Sequence, residues 1–382
     1  MKIGFAARWS PLDKRSWSGI SYYTYQEIQK QHEVEIFTYK LPKLLREFLT
    51  TQKSLYKKFS GKHTSVEFLT AYAKYLSRRL TEDLKKRPVD LLFVSASPQL
   101  IAFVKTDIPI VLMTDATFQQ IQGYYPYFSN LSGRNLRQGI ELDKKAFLAS
   151  SHLLLTSEWC KQSAVKDYGV DPERISVARE GANMETIPVE KIRFESTDYC
   201  RLLFLGVEWE RKGGDIVLET FRILQQQGMQ VQLYIIGCNP PVSIAAEKNI
   251  THIPFLDKNK KEDVDELQKI FLQTDFLFLP TRAECAGVVF SEASSFGIPS
   301  ITTDTGGVST QISDGVNGYA LSYDARAQEY ADVISRLFND PQKLMALKKT
   351  SRLHYESKLN WQQWGAEFNK VAHQLVNKPR QA

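Results

Sequence analysis

The feature that most constrains this chain is an alternation. Short apolar runs of strand length are separated by segments whose apolar residues recur at helical spacing. In the first half the runs are KIGFAA, VEIFTY, DLLFVSA, IPIVLMTD and HLLLTS. In the second they are RLLFLG, QLYIIG, THIPF, TDFLFLP, PSITTD and GYAL. Between them lie stretches such as GGDIVLETFRILQQQG, with Ile216, Val217, Phe221 and Leu224 at helical spacing. Strand–helix–strand repetition of this kind builds parallel sheets covered by helices. The pattern restarts near residue 200, after the charged, non-periodic VEKIRFESTDYCR that begins at Val189. The expectation is an α/β fold of two doubly wound domains, 1–188 and 189–359, with a cleft between them. In open parallel sheets ligands bind beyond the carboxyl ends of the strands. The functional residues should therefore sit in the loops that follow those strands.

Composition narrows the class. The chain has 382 residues, 43% of them hydrophobic, which suffices for sizeable cores. No apolar run approaches the ~20 residues that span a bilayer. The start, MKIGFAARWS, has neither the apolar centre nor the cleavage site of a signal peptide. Cys160, Cys200, Cys238 and Cys285 are scattered, without metal-site or redox spacing, which points to a reduced, cytoplasmic protein. A net charge of +6 is mild for this length. With no zinc-finger spacing and no RNA-recognition aromatic run, nucleic acid is not an expected partner. The dinucleotide glycine fingerprint, the phosphate loop and the Gly-x-Ser-x-Gly elbow are all missing. Asp263 and Asp265 open a polar helix, where acids suit the first turn.

One segment breaks the alternation. From Lys40, KLPKLLREFLTTQKSLYKKFSGKH carries a single acid, Glu47, and repeats Leu41, Leu44, Leu45, Phe48, Leu49, Leu55, Tyr56 and Phe59 at helical spacing. This is a basic amphipathic helix, or two. Either its stripe packs on the core with a solvated basic face, or residues 40–62 dock on anionic lipid headgroups.

Two loops carry candidate chemistry. In LFLGVEWERKGGDIVLETF a strand ends at Gly206, and Arg211, Lys212, Gly213 and Gly214 precede a helix. A lysine before glycines at a helix start suits a diphosphate, since charge, close backbone approach and helix dipole act together. In AECAGVVFSEASSFGIP, Glu284 follows a buried strand and Glu292 comes after seven further residues. If the helix starts at Gly287 to Val289, its first amides can bind an anion or a sugar hydroxyl. Carboxylates accept from vicinal sugar hydroxyls. Taken singly, Glu292 reads equally as a solvated helix glutamate and Glu284 as a charge favoured by the helix dipole.

Together these segments resemble the retaining, nucleotide-sugar-dependent glycosyltransferases of the two-domain GT-B type, family 4, also called glycosyl transferases group 1. The family's Glu-x7-Glu block is matched by ECAGVVFSEA, and its downstream glycine motifs by GIPSITTDTGGVSTQISDGVNG. The donor-phosphate loop is matched by GVEWERKGGD, the run before the linker by TSEWCKQSAVKDYGVDPERISVAREGAN, and the first loop and helix by SGISYYTYQEIQKQHEVEIF. The resemblance implies that Lys212 and Arg211 neutralise the donor diphosphate and that Glu292 holds the ribose hydroxyls. Glu284 would contact the transferred sugar and stabilise charge at its anomeric carbon. The amides of Gly287, Val288 and Val289 would hold donor phosphate or sugar, and Gly19 would let the first loop approach the diphosphate. Phe255 and Leu256 are weaker candidates for flanking the base. No cofactor and no bound metal is implied, because cations and helix dipoles serve the leaving diphosphate.

Two positions depart from the pattern. Val207 stands where many relatives have arginine, and Asp115 stands near a histidine thought to face the reacting sugar. Asp115 is therefore a catalytic candidate, with helix capping as the plainer reading. The aromatic-rich TDATFQQIQGYYPYFSNLSGRN suggests where an acceptor glycan or lipid-linked sugar would stack. The resemblance further implies that segment 360–382 packs back on the first domain. It implies a role in bacterial cell-surface polysaccharide or glycolipid synthesis, at the inner face of the membrane. An epimerase or phosphorylase on the same fold, and a scaffold or membrane-binding protein that has lost catalysis, are the alternatives.

Overall fold

The computed structural model describes residues 1–185, 189–192, 194, 197–241, 244 and 247–377. Within the helix Lys43–Ser60, several side chains, including Leu44, Leu45, Phe48 and Leu55 of the basic stripe, lie outside the described residues. The chain divides into two compact units. One is Met1–Ala178 together with the chain from Trp364 onward; the other is Arg179–Gln363. The division precedes the charged segment at 189 because residues 180–182 bond within the second unit. Ser291 Oγ donates to the Glu180 carbonyl at 2.7 Å, and Trp361 Nε1 to that of Ala182 at 3.0 Å.

The first unit holds a six-stranded parallel sheet. Its strands are β1 (Lys2–Ala7), β2 (Glu33–Phe37), β3 (Leu91–Ser95), β4 (Ile110–Thr114), β5 (His152–Leu155) and β6 (Ile175–Val177). They lie in the order β2-β1-β3-β4-β5-β6. The near-continuous apolar runs DLLFVSA and IPIVLMTD become β3 and β4, buried on both faces, as central parallel strands must be. The sequence reading has no counterpart to β6. Its three residues sit among charges in PERISVARE, too short a run to register as apolar. The helix Trp361–Val376 brings the chain end back to this unit. Trp364 and Phe368 stack at 5.5 Å, and both meet Phe93 of β3 edge-on, at 5.7 and 5.4 Å.

The second unit holds another six-stranded parallel sheet. Its strands are β7 (Cys200–Leu205), β8 (Val231–Ile236), β9 (Ile250–Ile253), β10 (Phe276–Leu279), β11 (Ser300–Thr303) and β12 (Gly318–Leu321). Their order is β12-β11-β10-β7-β8-β9. From the neighbours β7 and β10 the chain winds outward in opposite directions. Such a reversal leaves a crevice at the strands' carboxyl ends, between loops that part to either side. In the first unit the reversal falls between β1 and β3. At the amino end of β10, Asp275 is buried, accepts the Arg201 amide at 3.0 Å and pairs with Lys348 at 2.7 Å.

One buried carboxyl in the first unit is held by a backbone amide. Asp143, on the helix Gly133–Ala149, accepts the Phe118 amide at 2.6 Å. Burial pushes it up to about 7, against a weaker opposing pull from that amide.

Two outcomes follow. Trp364→Ala removes the largest fully buried side chain of the returning helix, and urea unfolding should show a loss of about 3–5 kcal/mol. For Asp143, the folded value lies above the unfolded 3.8, so the stabilising contribution of its protonated form is lost as pH rises from about 4 to about 7. Asp143→Asn should therefore gain on the unmodified protein between pH 5 and pH 8, in paired urea titrations. A constant difference across that range would contradict the assignment.

Candidate functional site

The crevice of the second unit is built by two loops. The loop after β7 runs from Gly206 to Gly213; the loop after β10 runs from Pro280 to Gly287. They are stitched together at Arg211, whose carbonyl accepts the Arg282 amide at 2.7 Å and Thr281 Oγ1 at 3.2 Å. Gly213 has φ +78°, and a Cβ there would lie 2.1 Å from the Pro280 carbonyl oxygen. Only glycine lets the loops cross so closely. Trp209 is buried beneath the first loop, against Gly214, with its Nε1 donating to Asp215 at 2.8 Å.

This crossing brings the predicted residues together. Lys212 Nζ pairs with Glu284 Oε2, and Arg211 Nη1 lies 3.8 Å from the same oxygen. Arg211 also donates to the Ala283 carbonyl at 2.9 Å. The three side chains are only 12%, 10% and 9% exposed for Arg211, Lys212 and Glu284. Gly287 has φ +90°, and a Cβ there would meet the Phe290 ring at 2.6 Å. It is the N-cap of the helix Val288–Ser295, so the amides of Val288 and Val289 belong to the first turn, which has no intrahelical acceptors.

Glu292 lies in that helix and is buried, not a solvated helix glutamate. Its carboxyl is pushed up by burial, against the pull of Lys258 and of the Asn183 amide. Lys258 Nζ pairs with its Oε1. Sequence reasoning missed this partner. Lys258 sits in DKNKKED among other lysines, and nothing local marks it. Asn183, in the GAN of the run before the linker, was the more visible signal. Phe255 is 57% exposed after β9, whereas Leu256 is partly buried against the core. Val207 is exposed, and the loop's inward cations are Arg211 and Lys212.

The remaining candidates belong to the first unit. Asp115 follows β4, and its Oδ2 accepts Trp17 Nε1 at 3.2 Å. It does not cap the next helix: Thr117 does, in a reciprocal capping box with Gln120 on Phe118–Ile121. Trp17 and Ser18 adopt left-handed backbone at φ +48° and +55°, followed by Gly19 at +90°, which precedes the helix Ile20–Gln29. Among the described residues, no three His, Cys, Asp or Glu side chains converge as a metal-binding set.

Comparison with known proteins gives consistent matches. The sequence model "Glycosyl transferases group 1" matches residues 189–354, and "Glycosyltransferase Family 4" matches 21–186. A D-inositol 3-phosphate glycosyltransferase of Paenarthrobacter aurescens is 27% identical over 219 residues, covering 53% of this chain and 52% of that protein. Spore coat protein SA of Bacillus subtilis is 22% identical over 88% of both chains. The chain spans about half the length of the first curated relatives it matches. Among solved structures, sucrose-phosphate synthase of Thermosynechococcus elongatus superposes with a TM-score of 0.68 at 14% identity, covering 99% of this chain and 100% of that one. HepE of Anabaena, solved with UDP, gives 0.63 at 15% identity, covering 98% and 100%. Two matched models in tandem, on two units of this topology, place the chain in a family: it belongs to the group 1 glycosyltransferases of the GT-B type.

Proposed function

We propose that this chain moves a sugar from a nucleotide diphosphate-sugar to a hydroxyl of a glycan or lipid-linked acceptor, with retention at the anomeric carbon. The observation that carries the reading is the buried Arg211–Lys212–Glu284 cluster beside the first turn of the helix Val288–Ser295. Two cations and a helix N-terminus at one crevice suit a diphosphate. A donor diphosphate competes with Glu284 for Lys212. Once displaced, the Glu284 carboxylate faces the transferred sugar and stabilises positive charge developing at its anomeric carbon. The same cations and amides then stabilise the leaving diphosphate, so the reaction runs without a bound metal or cofactor. Lys258 opposes the upward push that burial gives Glu292, and the Glu292 carboxyl oxygens accept from the ribose hydroxyls. Exposed Phe255 flanks the base. Asp115, held by Trp17, orients the reacting sugar or accepts the acceptor's proton.

Among the described residues no helix is long and apolar enough to cross a membrane. For a lipid-linked acceptor, the helix Lys43–Ser60 supplies a peripheral anchor on the cytoplasmic face. It has Lys57 and Lys58 in its last turn and Phe59 83% exposed. Acceptors of this kind belong to cell-surface polysaccharide and glycolipid assembly.

Because HepE binds UDP, UDP-linked sugars are the first donors to test, followed by GDP-, ADP- and dTDP-sugars. The matching nucleotide should raise the melting temperature, with about 2.7 kcal/mol of stabilisation at a hundredfold excess over Kd. Lys212→Ala and Glu292→Ala, shown folded by circular dichroism, should lose that gain. If no nucleotide stabilises the unmodified chain at millimolar concentration, the donor site is refuted. Trp17→Phe keeps an aromatic ring, smaller than the indole, and removes the bond to Asp115. It should lower kcat at least tenfold while leaving nucleotide affinity within threefold.

A further inference from the structure

The first unit contains a cavity of about 170 Å³ at the carboxyl ends of β1, β3 and β4. That is roughly ten times the ~10–15 Å³ that a single water requires, so the space suits a ring-sized ligand. The lining combines rings and charges. Phe68 packs against Phe118 at 4.6 Å and against Phe128 at 5.8 Å, and all three line the cavity. Arg8, Glu67, Asp115 and Asp143 line it as well. Aromatic rings together with carboxyl acceptors suit a sugar ring, which offers a face to stack on and hydroxyls to hold.

The charges decide which sugar. Among the described residues of the lining, Arg8 is the one cation, beside the three carboxyl groups of Glu67, Asp115 and Asp143. It is ion-paired with Glu67, which also accepts Tyr127 Oη at 3.2 Å. The Arg8 amide is tied to Ser97 Oγ at 2.9 Å. Asp143 accepts the Phe118 amide, and Asp115 accepts Trp17. A phosphate or carboxylate entering here meets Asp115 and, as pH rises past about 7, an ionised Asp143, while the one guanidinium is already paired with Glu67. Like charges brought together in a poorly solvated pocket reject a ligand strongly.

We propose that this cavity binds the acceptor's terminal sugar as an uncharged polyol and excludes phosphorylated or carboxylated sugars. The inference rests on the transferase reading for the word acceptor, but the binding itself does not. Arg8, Glu67 and Asp143 become specificity-determining residues, and Phe128 supplies the stacking face.

Saturation-transfer NMR on the full chain tests it, with D-glucose, D-galactose and myo-inositol set against glucose 6-phosphate and glucuronate. The uncharged probes should show transfer, and the anionic ones at least tenfold weaker binding. Phe128→Ala should abolish transfer to the uncharged probes. The double variant Glu67→Gln, Asp143→Asn frees Arg8 and removes two carboxyls. It should raise the affinity for glucose 6-phosphate relative to glucose at least tenfold. Glucose 6-phosphate binding the unmodified chain as tightly as glucose overturns the proposal. So does the absence of transfer to every uncharged probe at 50 mM, on the order of the weakest site worth the name. Nucleotide thermal shifts on the same samples separate the two readings. Uncharged sugars bound at Phe128 without any nucleotide response would sink the transferase and leave the pocket standing.

Discussion

The second unit depends on a close crossing of two loops where the strand order reverses. At Gly213 the loop after β7 presses on the carbonyl of Pro280, the first residue after β10, in a space no side chain could share. That contact fixes the registry of everything after it. The Arg211 carbonyl can then accept from both Thr281 and Arg282, and Lys212 and Glu284 are carried to the same point from sequence positions far apart. The helix that begins after Gly287 aims its first turn at that point as well. A Cβ at Gly287 would press on the Glu284 side chain at 3.1 Å, so the helix start and the carboxylate are fitted to each other.

Buried ion pairs contribute little net stability, because desolvation offsets attraction. Their location therefore says more than their presence. The pair Lys348–Asp275 sits at the amino end of β10, where Asp275 also accepts a backbone amide, and it joins the helix Pro341–Lys358 to the sheet. This is a structural clamp. The pairs Lys212–Glu284 and Lys258–Glu292 sit beyond the carboxyl ends of the strands, where the fold leaves its crevice. The same kind of pair thus stands at both ends of one sheet. Under the proposed function, the Lys212–Glu284 pair at the crevice exchanges partners when a diphosphate enters, whereas the pair at the sheet's base has no such role.

Much of this was legible in the sequence, for a physical reason. Buried parallel strands need continuous apolar runs, so β3, β4, β7 and β10 announce themselves, and the loops after them carry the chemistry. Short spacing also made the residues of the proposed donor site readable: Lys212 abuts two glycines, and Glu284 and Glu292 bracket one helix start. What stayed hidden depends on tertiary packing. β6 is three residues long and flanked by charges, so its pairing with β5 creates the strand. Lys258 is one lysine among several until the fold sets it against Glu292. For Asp115, read as a catalytic candidate, capping was the plainer alternative, yet the residue two positions on does the capping, since Thr117 Oγ1 accepts the Gln120 amide.

That substitution of roles bears on the first unit. With Thr117 as the cap, helix formation gives no reason for an acid at position 115. The backbone at Trp17 and Ser18 adds a second argument. Left-handed conformation at two successive non-glycine residues costs on the order of 1–3 kcal/mol each and persists only where the surroundings enforce it. Here the distortion delivers the Trp17 indole to Asp115 across nearly a hundred residues of sequence and ends at Gly19, where the first helix begins. A tryptophan that needed only burial could have been accommodated in a relaxed turn. The strain is spent on direction: it aims one N–H at one carboxylate oxygen, at the strand end where the polar cavity of this unit opens. A carboxylate held this way keeps a fixed orientation toward whatever enters, and fixed acceptors rather than mobile ones separate one sugar hydroxyl from its neighbours.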